Sequence, residues 1–239
     1  MNDAESAEGA RKRRHLPAPE RQRQILDAAT RFFAEHGLSA HTRELARAIG
    51  LSHSAIFRYF PTKEALVERV YEHVYVSRWN PDWEALIRDR ATPLEARLVN
   101  LYLDYAARIF DYEWVRIFVD AGLRAAGIAP RYLALVRERL ILPVCEETRA
   151  HFSAGAPDSA LRQRQEEAAF GLHGQVFYLA IRKFVYGVPI PDDPAPVIAD
   201  FARGFVLAAP ALFDEAASTA LSGRTETSGR SEIASASEA

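Results

Sequence analysis

Residues 42–60 read Thr42-Arg43-Glu44-Leu45-Ala46-Arg47-Ala48-Ile49-Gly50-Leu51-Ser52-His53-Ser54-Ala55-Ile56-Phe57-Arg58-Tyr59-Phe60. Leu45, Ala46 and Ile49 fall at helical spacing and predict a short helix from about Thr42, which Gly50 ends. Ser52 then caps another helix whose apolar positions, Ile56 and Phe60, lie four apart. Ala46 is small and stands four residues before Gly50, so the two helices can cross closely, and Gly50 takes a positive φ at little cost. Leu45, Ile49, Leu51, Ile56 and Phe60 make one shared core. The pattern is a helix-turn-helix, in which the second helix normally enters the major groove of DNA.

Upstream, the pattern becomes helical from Pro19, with Ile25, Ala29, Phe32 and Phe33 on one face and Gly37 past its end. Downstream, Pro61-Thr62 breaks the chain. Thr62 can cap a fourth helix carrying Leu66, Val67, Val70 and Val74 to about Arg78, with Glu64 in its first turn. Asn80-Pro81-Asp82 interrupts the pattern. Thr92-Pro93-Leu94-Glu95 predicts a capped helix start, with Thr92 as cap and Glu95 at the third position, and a helix to about Phe110. Further helices fit 113–125, 130–151, 158–186 and 194–215. Strand alternation and tandem repeats are absent from the pattern, so the fold class is all-α: an N-terminal three-helix helix-turn-helix domain over 17–66 and a helical domain over 67–216. Residues 1–16 are expected to be a disordered basic arm and 217–239 a disordered polar tail.

The 239 residues are 49% hydrophobic and 26% charged, the balance of a globular chain with a real core. One cysteine, Cys145, excludes an intrachain disulfide framework and a thiolate-rich zinc site, and a reducing cytoplasm is the expected setting. The N-terminus has no apolar run, so no secretory signal is expected. The uncharged stretch 204–213 is too short to cross a bilayer, so no membrane partner is expected either. The net charge of −2 hides a division. Residues 11–63 hold eleven Lys/Arg, among them the run Arg11-Lys12-Arg13-Arg14, against four acids, a net +7. Residues 64–239 hold 19 bases and 25 acids. A basic end on an acidic body suits a negatively charged partner at that end only, and the arm can reach a minor groove or phosphates.

Across residues 20–70 the chain resembles the tetracycline-repressor (TetR) family. The resemblance rests on Ile25-Leu26-Asp27-Ala28-Ala29, Phe32-Phe33-Ala34-Glu35-His36-Gly37 and His41-Thr42-Arg43-Glu44-Leu45-Ala46. It continues through Gly50-Leu51-Ser52-His53-Ser54-Ala55-Ile56-Phe57-Arg58-Tyr59-Phe60-Pro61-Thr62-Lys63-Glu64-Ala65-Leu66. It implies that Thr42 and Arg43 touch phosphate or a base, and that His53, Ser54 and Ala55 form the first turn of the recognition helix and face base edges, with Ser52, the cap, also counted at the DNA-binding surface. Ser54 can hydrogen-bond almost any base, and the Ala55 methyl suits a thymine methyl. Phe57, Arg58, Tyr59 and Lys63 would hold the DNA backbone, Lys63 at a helix N-terminus that is itself an anion site. The family commonly has tyrosine where this chain has Phe57, which has no hydroxyl to give a phosphate. The resemblance further implies a homodimer on a palindromic double-stranded operator, most often a repressor, released by a small-molecule effector. It implies no cofactor.

Beyond residue 70 the resemblance is architectural. The helices over 158–186 and 194–215 are apolar on more than one face, and in the family the last two long helices build a dimer interface, which would take in Phe170, Ile181, Phe184, Phe201 and Phe205. Trp79, Tyr102, Tyr105, Phe110, Trp114, Phe118, His173 and Phe177 are the candidates to line an effector cavity. Cys145, Glu147 and His151 fall near one another on one helix, but a second pair of metal ligands is missing, so no metal is expected. The sequence offers no phosphate-cradling glycine loop, nucleophile elbow or HExxH run, hence no enzyme. The alternative is a helical small-molecule-binding protein or enzyme whose basic N-terminus is incidental.

Overall fold

The computed structural model describes residues 17–124 and 127–213. The expected arm at 1–16 and tail at 217–239 lie outside the described residues. Within them the secondary structure is helical throughout, with no strand.

Helix α1 (Ala18–His36) starts after Pro17 and buries Ile25, Ala29 and Phe33 completely, the stripe its spacing predicts. It ends at Gly37, whose φ of +80° belongs to the region glycine favours. A Cβ there would also stand 2.9 Å from Asp120 Oδ1, so close approach and backbone conformation both call for glycine. Helices α2 (Thr42–Ala48) and α3 (His53–Phe57) flank Gly50, at φ +65°. The Ser52 hydroxyl accepts the Ala55 N–H at 3.2 Å, as a cap should. Leu45, Ala46, Ile56 and Phe60 are buried between α1, α2 and α3, although Phe60 lies beyond the end of α3. Thr62 caps α4 (Lys63–Tyr71) by accepting the Ala65 N–H at 3.0 Å.

The chain then departs from its simplest reading in three places. Helix α4 runs on as expected, but through a π-helical turn over Glu72–Val76 that brings both Val74 and Tyr75 into the core. A six-residue helix, α5 (Trp83–Arg88), follows where only a break was expected, because one and a half turns are too few for periodicity to show. The capped start at Thr92 is a correction. Helix α6 (Leu94–Ile109) has Pro93 at its cap position, while the Thr92 hydroxyl donates to the Asp89 carboxylate at 2.8 Å. Asp89 also accepts the Ala91 N–H, so a local turn has taken the hydroxyl that a capping box needs.

Helix α7 (Tyr112–Leu123) is capped by Asp111, which accepts the Trp114 N–H. The run predicted over 130–151 is α8 (Ile128–Val136), a second π turn over Arg137–Ile141, and α9 (Leu142–His151). Helices α10 (Ser159–Phe184) and α11 (Ala195–Phe213) close the bundle, packing on each other and on α6. By length and composition α11 could cross a membrane, but it carries Asp200 and Arg203 and buries Ile198, Ala202, Ala209 and Phe213 against the bundle. Between α5, α6 and α9 lies a buried ion centre: Arg97 pairs with Glu147 at 3.0 Å and donates to the Ile87 carbonyl, and Arg90 holds the same carboxylate at 2.9 and 3.0 Å. The Arg90 hydrogen bonds, joined by those of Arg97, hold the Glu147 carboxyl below its ordinary pKa despite its burial. Glu147 is therefore not free for a metal. Cys145 and His151 do not join it: the thiol donates to the Gln165 carbonyl, and the exposed imidazole packs on Phe152.

Candidate nucleic-acid interface

The first turns of α2 and α3 are tied to each other. Thr42 is buried, and its hydroxyl lies 2.9 Å from His53 Nε2. Among the ten residues expected at this surface it is the one that is buried, while Tyr59 is partly buried against the core. The place of Thr42 is to fix the angle between the two helices. His53 and Phe57 meet edge to face at 4.6 Å, which keeps Phe57 partly covered. Ser52 and Ser54 are exposed, with their hydroxyls 3.1 Å apart, and Ala55 lies half-buried behind them. Arg58 donates to the Tyr59 hydroxyl at 3.2 Å and lies over that ring. Partial burial draws the Lys63 ammonium below its ordinary pKa, against the pull of Glu64.

Charge pairing distinguishes this surface from the rest. Arg43, Arg47 and Arg58 are exposed, and among the described residues none of them forms a salt bridge. In the helical body the arginines are largely occupied: Arg78 with Asp111, Arg97 with Glu147, Arg131 with Glu68, Arg137 with Glu166 and Arg139 with Glu84. Unpaired guanidinium groups at a helix-turn-helix are ready for phosphate or for guanine edges. Arg47 shares this exposure without an acidic partner and was not among the residues expected here. Its signal is its spacing, four residues after Arg43 on the same short helix.

The surface is anchored to the helical body through α7. Asp120 accepts the Leu38 N–H at 2.7 Å and is itself held by Arg124 at 2.8 Å. Arg116 donates to the Ala34 carbonyl at 3.3 Å. The end of α1 and the approach to α2 thus rest on a helix that also lines the body's core.

That core is aromatic. Trp114 stacks on Phe118 at 5.2 Å and meets Tyr75, Tyr132 and Phe177 edge-on or tilted at 5.0 to 5.7 Å. Trp79, Trp83, Tyr105 and His173 continue the chain of rings, the last pair at 4.8 Å, and Tyr102 flanks them. Seven of the eight expected effector residues therefore come together, while Phe110, half-buried on the core, lies outside the described ring contacts. Tyr75 and Tyr132 belong to the cluster and were not expected there. Of the expected interface residues, Phe170, Ile181, Phe184 and Phe201 are partly exposed, but Phe205 is enclosed against Phe213.

Residues 25–70 match the model of "Bacterial regulatory proteins, tetR family". An HTH-type transcriptional repressor of Mycobacterium tuberculosis is 55% identical over 53 residues, which are 22% of this chain and 27% of that protein. The nucleoid occlusion factor SlmA of Haemophilus ducreyi is 44% identical over 57 residues, 21% of this chain and 28% of that protein. The chain thus spans little more than a quarter of the length of these curated relatives. The fold extends further. A TetR-like transcriptional regulator from Rhodococcus superposes with a TM-score of 0.59 at 18% identity, over 82% of this chain and 98% of its own. A tetR-family transcriptional regulator from Streptomyces coelicolor gives 0.55 at 20% identity, over 85% and 87%.

Proposed function

We propose that the chain is a DNA-binding transcriptional repressor of the tetR type, not an enzyme: residues 25–70 match the model of that family, and the remaining helices share the fold of tetR-type regulators. The observation that carries the reading is the set of exposed arginines without an acidic partner among the described residues, Arg43 and Arg47 on α2 and Arg58 just past α3, together with the exposed Ser54 on the recognition helix. Phosphate contacts from Arg58, Tyr59 and Lys63 supply affinity, and Arg43, Arg47, His53, Ser54 and Ala55 read bases. Two copies related by a two-fold axis engage the half-sites of a palindromic operator. Tyr178 on α10 and Leu207 on α11 support the pairing of copies, because they stay 53% and 82% exposed on the two helices that carry the partly exposed Phe170 and Phe201. A small molecule in the aromatic core releases the operator by favouring a conformer in which the recognition helices are wrongly spaced, which requires different affinities for the two states. The bond from Asp120 on α7 to Leu38, and the continuous run of α4 and its π turn from Lys63 to Tyr75, join that core to the DNA-binding surface.

A gel shift with the DNA immediately upstream of the chain's own coding region tests the reading. Retarded complexes that weaken as salt rises are expected. A folded protein that shifts no promoter fragment at low salt would contradict it and favour a small-molecule-binding protein with an incidental basic end.

A further inference from the structure

Two polar atoms in the aromatic core have no partner among the described residues: the Tyr102 hydroxyl and His173 Nδ1. Both side chains are buried, and their rings meet edge-on with centroids 6.3 Å apart. Burying a polar atom without a partner is unfavourable, and two such atoms in neighbouring rings are a poor design for a core that is only a core.

The hydrogen bonds around them define what each can offer. The Tyr132 hydroxyl donates to the Tyr105 hydroxyl at 3.5 Å. With that bond taken in this direction, the one proton of Tyr105 is left for His173 Nε2, 3.2 Å away. Nε2 is then the acceptor of a neutral ring, and Nδ1 carries the hydrogen. Burial keeps the ring neutral by pushing its pKa down to about 4. The unpartnered groups are therefore an N–H from His173 and an O–H from Tyr102. The neighbouring rings of Tyr105 and Trp83 are uncharged, and the guanidinium over Trp83, that of Arg108 at 5.8 Å, is already held by the Asp104 carboxylate. Tyr75 sits on one π turn and Tyr132 lies shortly before the other, and π turns inside helices recur at functional sites.

We propose that Tyr102 and His173 form the polar end of the effector site, and that it takes an uncharged molecule with an aromatic or apolar body and a carbonyl-type acceptor. A carbonyl oxygen has two lone pairs, matching the two donors, and the rings fit the body by stacking. A carboxylate would be buried without a cation and is excluded by that cost. The proposal rests on the regulator reading for its biological meaning, but the two fail separately.

Calorimetric titration of the full chain with acetophenone, ethylbenzene and benzoate tests it. The three share one aromatic body and differ in offering a neutral acceptor, no acceptor or a charged one. Acetophenone is expected to bind saturably and at least about tenfold more tightly than ethylbenzene, the worth of one hydrogen bond, with benzoate the weakest. Tyr102→Phe should lower acetophenone affinity by about tenfold, leave ethylbenzene unchanged, and raise the melting temperature of the free protein, because it deletes an unpartnered hydroxyl. No saturable acetophenone binding, equal affinity for ethylbenzene, or preference for benzoate overturns the proposal. Acetophenone binding by a protein that retards no operator would leave the site standing and remove the regulator reading.

Discussion

Arg43 and His173 carry the account at the scale of single residues. Arg43 is exposed near the start of α2 with no acidic partner among the described residues. If it reads a base, Arg43→Ala costs about 1–3 kcal/mol on the operator and far less on random DNA. Fluorescence anisotropy on both duplexes measures the difference, and an equal loss on each would make Arg43 a phosphate contact. His173 gives a pH signature. Its pKa falls from 6.5 to about 4 on folding, so the unfolded chain takes up the proton first. Stability is full above pH 6.5 and is lost as pH falls toward 4, by about 3 kcal/mol for this group alone. Urea unfolding between pH 7 and pH 4.5 should show the decline, and His173→Gln should flatten it. A wild-type midpoint that stays constant over this range would mean that His173 is not buried neutral.

Helices show where the sequence speaks and where it falls silent. The stretch from Thr42 to Thr62 is legible because each turn has a local cause: Gly50 at φ +65°, the Ser52 and Thr62 caps, and Ile56 spaced for burial. The long helices are legible from apolar spacing. The π turns are not, since one extra residue per turn leaves an apolar pattern that still looks helical. The start of α6 was misread because Asp89 competes for the Thr92 hydroxyl, and nothing in a capping pattern weighs that rival. Most of the aromatic cluster could be named but not assembled: Tyr75 and Tyr132 are 57 positions apart in sequence and meet at 5.5 Å only once α4 and α8 are packed. The ion centre is likewise a product of packing. Glu147→Ala would strand Arg97, whose Nε already lacks a partner, and should cost about 3–5 kcal/mol in urea unfolding. A cost under about 1 kcal/mol would show that α5, α6 and α9 hold without it.

For the whole molecule, the net charge of −2 is a sum of two opposed ends. The described part of the basic end is the helix-turn-helix, with its arginines unpaired, while the acidic body uses its carboxylates to hold its own arginines in place. A molecule so divided should meet DNA with one face and pair through another, where α10 and α11 leave Tyr178 and Leu207 uncovered. The most direct test is anisotropy titration of the retarded upstream duplex and of a scrambled duplex, over a range of salt, with the stoichiometry read at saturation. Two chains, or a multiple of two, per operator are expected, with tighter binding to the operator than to the scrambled sequence and a logarithm of affinity that falls linearly with the logarithm of salt. One chain per duplex, equal affinity for both sequences, or binding indifferent to salt would contradict the regulator reading.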